Sequence, residues 1–228
     1  MIGIIGAMEK ETSQLKAMLS DAHTQVISGI EFVDGTLFSQ RVVVATCGVG
    51  KVFAAICAEA MILRYAPELI INTGVAGSLT SALGITDIAI ADAVVQHDMD
   101  TTPLGDPKGL LSGINIVNIP TSQKAVDLLK NCIEALGIHT VIGKIASGDQ
   151  FVDSRQAKNK IAEEFDAIAC EMEGASIGHV CYVNGVDFAV LRAISDSFDD
   201  ESSLDYAKFV TIAAEQAVRV LCEFLKSY

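Results

Sequence analysis

Short apolar runs alternate with longer helical patterns along the whole chain. The first run, MIGIIGA (1–7), predicts a buried strand. Residues 9–20 (EKETSQLKAMLS) place Leu15, Met18 and Leu19 at helical spacing. Residues 24–47 hold three β-type stretches, TQVISGI, EFVDGTLF and RVVVATC, with turns expected at Asp34-Gly35 and Ser39-Gln40. GVGK then leads into VFAAICAEAMILRYA (52–66), a buried helix that Pro67 stops. ELIINTGVAGS (68–78) reads as a strand entering a glycine-rich turn, and ITDIAIADAVVQHD (85–98) as an alternating strand. A loop at 101–113, rich in Gly and Pro, precedes a helix at 121–136, a strand at 139–147 and a helix at 154–165. AIACEM predicts a strand, 174–183 a helix, 186–195 a strand, SFDDESS an acidic loop and 204–226 a long helix.

This alternation, with one antiparallel section near the start, implies an α/β fold. A mixed, mostly parallel sheet is expected, wrapped by helices on both faces. No linker, repeat or low-complexity stretch interrupts residues 1–228, so a single domain is expected. Ligands of such sheets sit beyond the carboxyl ends of the strands.

Composition narrows the partners. Half of the 228 residues are hydrophobic, which suits a well-buried core. The net charge of −13 argues against nucleic acid or an anionic membrane as the main partner, but not against a small ligand held in a pocket. Six cysteines, at 47, 57, 132, 170, 181 and 222, form no CxxC pair and lie mostly in apolar runs. They are expected to be reduced, buried thiols of a cytoplasmic protein. The opening residues lack the basic start of a signal peptide, and no uninterrupted apolar run is long enough for a membrane span.

The strand ends carry the chemistry. AMEKE, EMEG and SDS bring Glu11, Glu171, Glu173 and Asp196 to the carboxyl edge, while TGVAG and GDQFV bring glycines that let a ligand approach the backbone. Crowded carboxylates push each other's proton affinities apart, so one can serve as acid and another as base. Against this stands a plainer role, since Glu9 and Glu11 fall in a first helical turn where acids are favoured anyway. Of Glu171 and Glu173, one is expected to face the pocket and one to serve structure; spacing alone does not say which.

In order and spacing, GIIGAMEKE, GVGKV, INTGVAGSL, SGDQFV, EMEGASIGHVC and LRAISDS resemble the 5′-methylthioadenosine/S-adenosylhomocysteine nucleosidases, from Ile2 to the last helix. The resemblance implies the nucleoside phosphorylase fold, a three-layer α/β/α sandwich around a mixed sheet. It implies hydrolysis of the N-glycosidic bond of 5′-thioadenosines to adenine and a thioribose, in methionine salvage, with no cofactor and no metal. 5′-Deoxyadenosine and aminodeoxyfutalosine stand beside these as substrates that the sequence does not rank. Glu11 matches the family's water-activating base and Asp196 its proton donor to purine N7, with Ser195 orienting that donor. Glu173 matches the glutamate that holds the ribose hydroxyls, and Met172 the methionine packed on the sugar. Phe151 matches the aromatic stacked on adenine, and Val152 the residue whose backbone reads the purine edge. Met8, Val49, Val75, Arg192 and Tyr206 fall at positions lining the sugar, water or alkylthio sites. Glu171 becomes the weaker candidate. The family's homodimers imply a homodimer here, with loop 101–113 near the neighbouring active site and Leu104, Leu110 and Leu111 available for contact. That loop lacks the aromatics some members place over the 5′ tail, and Val75 stands where some have serine.

Rival readings are weaker. GVGKV lacks the first glycine and the Ser/Thr of a nucleotide-binding P-loop. A phosphate-dependent phosphorylase needs cations for its phosphate, whereas AMEKE presents acids. HDMD (97–100) is a weak metal signal and is expected to order its loop or a subunit contact. The run SFDDES reads as a solvated segment, with a lid as the alternative. A non-catalytic nucleoside-binding protein would have no need to keep both Glu11 and Asp196.

Overall fold

The computed structural model describes residues 1–198 and 202–228; the rest of the acidic loop, and with it any lid there, lies outside the described residues. The chain begins with β1 (Ile2–Gly6), α1 (Glu9–Met18), β2 (Ser20–Ile27), β3 (Ile30–Leu37), β4 (Gln40–Thr46) and α2 (Lys51–Tyr65). It continues through β5 (Leu69–Ser78), β6 (Ile88–Gln96), β7 (Ile119–Pro120), α3 (Gln123–Ala135), β8 (Thr140–Ser147) and α4 (Arg155–Phe165). It ends with β9 (Ala167–Glu171), α5 (Gly174–Asn184), β10 (Asp187–Asp196) and α6 (Ser202–Ser227). Among the described residues no helix is long and apolar enough to cross a membrane.

Strand β1 lies between β4 and β5, parallel to both, and β2, β3 and β4 form an antiparallel meander at one edge. Beyond β5 the sheet does more than a flat sandwich requires. Strand β5 pairs in parallel with β10, β10 pairs antiparallel with β6, and β6 and β9 flank β8 in parallel. Strand β9 then returns to β5 through an antiparallel pairing of Gly77 with Cys170 and Ser78 with Ala169. Five strands therefore close into a ring, and the meander is its open flange.

By their period of two the strands separate the two larger of three cores, the third lying under α4 with Val95, Ala146, Ile161 and Phe165. Ile2, Ile4, Val42, Val44, Leu69, Ile71, Leu191 and Ala193 pack with Leu15 of α1, Leu129 of α3 and Leu221 and Phe224 of α6. Ile5, Val43, Ala45, Ile70, Val190 and Ile194 pack with Ala54, Cys57 and Met61 of α2 and Ile177 of α5. Strands buried on both faces read as continuous apolar runs, which explains sequences such as IGII and RVVVA.

Both expected turn points of the meander move. Asp34-Gly35 lies inside β3, and the first turn is Ser28-Gly29, enclosed by the Ile27–Ile30 pair. Gly35 is needed for a different reason: a Cβ there would stand 2.7 Å from the Ser20 carbonyl oxygen. The second turn is Phe38-Ser39, one residue earlier than expected, inside the Leu37–Gln40 pair. All four central residues have positive φ, as tight hairpin turns matched to strand twist require. Strand β7, only Ile119–Pro120, was not anticipated; its Ile119 is fully buried against β6.

Candidate active site

Where β1 gives way to α1, and at the carboxyl ends of β5, β8, β9 and β10, the chain surrounds one cleft of about 570 Å³. Met8, Glu11, Val49 and Val75 line it, as do Phe151, Val152, Met172, Glu173, Ser195, Asp196 and Tyr206. Arg192 does not, and its expected place on the wall is corrected. It is 1% exposed and lies behind the cleft, donating to Asn72 Oδ1 and Glu171 Oε2. Its Nε is buried with no partner among the described residues.

Glu11 is the third residue of α1 and 3% exposed. Its Oε2 accepts from the Ala7 and Met8 amides at 2.8 and 2.9 Å, and its Oε1 from the Val75 amide at 3.2 Å. It is thus both an N-terminal helix cap and a cleft residue. Burial raises its proton affinity above the ordinary carboxylate range, although Arg192 and the three amides oppose this. Room for it comes from Gly74, where a Cβ would meet Glu11 Oε1 at 2.6 Å.

Three residues further along β5, Gly77 does the same for the second carboxylate. A Cβ there would meet Asp196 Oδ2 at 2.6 Å. Asp196 ends β10 after a register shift between Ile194 and Asp196, and this irregularity breaks the alternation of the strand. The consecutive Ser195 and Asp196 therefore both line the cleft. Ser195 Oγ donates to Asp196 Oδ1 at 3.0 Å. Lys158 of α4, completely buried, donates to Asp196 Oδ2 at 3.1 Å.

The expected division of the two EMEG glutamates, one to the pocket and one to structure, is corrected: both line the cleft, and Glu171 carries the structural network as well. Glu171 is the hub of a buried network. It accepts from Ser147 Oγ, Arg192, the Glu173 amide at 2.9 Å and the Gly174 amide at 2.8 Å. Burial alone would raise its proton affinity, but Arg192, Ser147 and the Glu173 amide outweigh burial and hold the carboxyl below the usual range. Glu173 is 6% exposed and its Oε1 accepts from the Gly50 amide at 2.8 Å, across the start of α2. Burial, and then the neighbouring Glu171 charge, raise its proton affinity. Asp149 takes the next amide of α2, that of Lys51, at 2.8 Å. Two carboxylates from distant loops thereby cap a helix that begins on Gly50 and has no capping side chain of its own.

Phe151, half exposed, meets Tyr206 edge-on with ring centroids 5.4 Å apart, and the Tyr206 hydroxyl lies 3.3 Å from Met8 Sδ. These three side chains form an apolar roof. Ala7, Ala76, Gly77, Gln150 and Cys170 also line the wall, beside Glu171, and these five are not singled out by the sequence. Burial pushes the Cys170 thiol up to about 12, so it presents an inert, apolar surface. Lys158 was missed because a lysine in a polar helical stretch, RQAKNKIAEE, carries no sign of burial.

HDMD orders its loop: Asp98 pairs with Lys51 at 2.6 Å and takes the Asp149 amide, while Asp100 holds Thr102. In loop 101–113, Leu104 is 82% exposed, whereas Leu111 is buried in this chain's own core and is withdrawn as a contact residue.

The family model of the phosphorylase superfamily matches residues 1–226, and with the relatives below it makes the chain an enzyme of the nucleoside-cleaving kind. A 5′-methylthioadenosine/S-adenosylhomocysteine nucleosidase of Shewanella putrefaciens is 39% identical over 99% of both chains. The crystal structure of the Neisseria meningitidis nucleosidase of that name, in complex with methylthio-immucillin-A, superposes with a TM-score of 0.95 at 30% identity, over 100% of this chain and 99% of that one. The native structure of futalosine hydrolase of Helicobacter pylori superposes at 0.94 with 34% identity, over 100% and 97%. The chain belongs to the 5′-methylthioadenosine/S-adenosylhomocysteine nucleosidase family.

Proposed function

We propose that this protein hydrolyses the N-glycosidic bond of 5′-methylthioadenosine and S-adenosylhomocysteine, releasing adenine and the thioribose. Glu11 takes a proton from water as the water oxygen bonds to the sugar's anomeric carbon. Asp196 gives a proton to purine N7 as the glycosidic electron pair passes to adenine. Ser195 orients Asp196, and Glu173 hydrogen-bonds the ribose hydroxyls. Met172 packs on the sugar, Phe151 stacks on adenine and Val152 reads the purine edge. Met8, Val49, Val75 and Tyr206 line the sugar, water and 5′ sites. General acid and base each contribute about 10²–10⁴ in rate.

The observation that carries this reading is the pair of carboxylates, Glu11 and Asp196, in one cleft, each accommodated by a glycine of β5. Water is favoured over phosphate because no Lys or Arg is among the described lining residues. Lys158 and Arg192, just behind, are already paired with carboxylates. Adenine release from 5′-methylthioadenosine, assayed in phosphate-free buffer and again with phosphate, is the test. Release without phosphate is expected. Release only with phosphate would make the protein a phosphorylase, and binding without release a nucleoside-binding protein. The likeness to a futalosine hydrolase makes aminodeoxyfutalosine the next substrate to assay, with 5′-deoxyadenosine after it.

A homodimer belongs to this proposal. Val52, Phe53, Ile56 and Leu63 of α2, with Tyr182 and Val183 of α5, are exposed apolar side chains. They continue from Val49 at the cleft mouth, and a second copy seated on them, with its loop 101–113 and Leu104 near the neighbouring cleft, is the dimer proposed. Light scattering at micromolar concentration is expected to give a dimer and, for Phe53→Glu, a monomer; a monomeric unaltered chain would refute it. Residence in the cytoplasm is supported by six cysteines that are all free thiols.

A further inference from the structure

Lys158 is the anomaly of the molecule. It shares the inner stripe of α4 with Ile161 and Phe165 and is 0% exposed. Two effects oppose a charge there. Removing an ammonium from water is costly. Its place near the N-terminus of α4 sets it against the positive end of the helix dipole. A leucine or methionine at this position would meet neither cost. What the lysine gains is on the other side of the cleft wall: its ammonium donates to Asp196 Oδ2 at 3.1 Å and to the Ser197 carbonyl. With Ser195 Oγ on Oδ1, each oxygen of Asp196 has its own donor. Lys158 itself does not line the cleft, so it acts through Asp196.

We propose that Lys158 is the positioning residue of the general acid. It fixes the Asp196 carboxyl toward the purine and stabilises the carboxylate left behind when the proton has moved. In that step the Asp196 O–H bond breaks and the N7–H bond forms, while the glycosidic pair goes to adenine. The negative charge that appears on Asp196 then faces the ammonium. This inference rests on the reading of Asp196 as proton donor.

A double-mutant cycle on adenine release tests it, with thermal unfolding to verify the fold of each variant. Lys158→Met is expected to lower kcat by about 10–100-fold, the worth of one hydrogen bond to a charged group, and to leave KM nearly unchanged. Added to Asp196→Asn, it is expected to cost kcat nothing more, because the carboxylate through which it acts on the purine has gone. If Lys158→Met does not fold, Lys158→Gln, which keeps an amide donor without the charge, carries the same cycle. An unchanged kcat in the single variant, or an undiminished loss in the Asp196→Asn background, would overturn the role of Lys158. Full activity of Asp196→Asn alone would instead remove the general acid, and this proposal with it.

Discussion

Glu173 and Glu11 both face the cleft from buried positions, where their charged forms cost stability. Both are buried, and both have their proton affinity raised by that burial. A carboxyl whose folded value lies above its ordinary value of 4.5 favours the fold most when protonated. That contribution is complete below 4.5 and is lost as pH rises through the folded value. Glu171 has the opposite sign, stabilising above its ordinary range and losing that contribution in acid. Glu173→Gln is therefore expected to flatten the alkaline decline of thermal stability and to stabilise the protein by about 1–3 kcal/mol at pH 8. The same change is expected to raise KM for 5′-methylthioadenosine. Melting curves from pH 5 to 9 decide it, and a decline as steep as in the unaltered chain would refute the assignment. Gly74→Ala presses a methyl group against Glu11. It is expected to cost about 1–3 kcal/mol of stability and to lower kcat more than it raises KM. Chemical denaturation and steady-state kinetics measure the two effects.

At the scale of the element, most of the fold was legible because strands buried on both faces and helices of period 3.6 leave different traces. The runs at 1–7, 52–66, 68–78 and 186–195 fall on β1, α2, β5 and β10. The turns were misplaced for a local reason. Asp-Gly usually marks a hairpin, but Gly35 is small to admit the Ser20 backbone, while Phe38-Ser39 takes up positive φ without the residues that prefer it. Replacing Phe38-Ser39 by Asn-Gly is expected to stabilise the protein by about 0.5–1 kcal/mol, as measured by urea unfolding. The cleft was legible where its residues sit in motifs at strand ends. It was illegible where partners meet only in three dimensions: Arg192 was placed one layer too far forward, and Lys158 was invisible. An arginine or lysine in a sequence reports its charge but not which carboxylate has taken it inside.

At the scale of the whole molecule, the ring of strands and the open meander divide the labour. The meander presents β2, exposed along almost its whole length, whereas β5 and β10 are hydrogen-bonded on both sides and buried. A closed circuit has no end from which to unzip. The backbone amides of β5 and β10 are therefore expected to exchange with solvent deuterium only when the whole ring opens. Those of the exposed segment 149–154, outside any strand, exchange by local opening. Saturating adenine should slow exchange in that segment and leave the ring unchanged, as mass spectrometry of labelled peptides would show. Motion that admits a ligand is then expected to be confined to a few residues around Phe151, while Asp196 sits on a strand of the closed circuit.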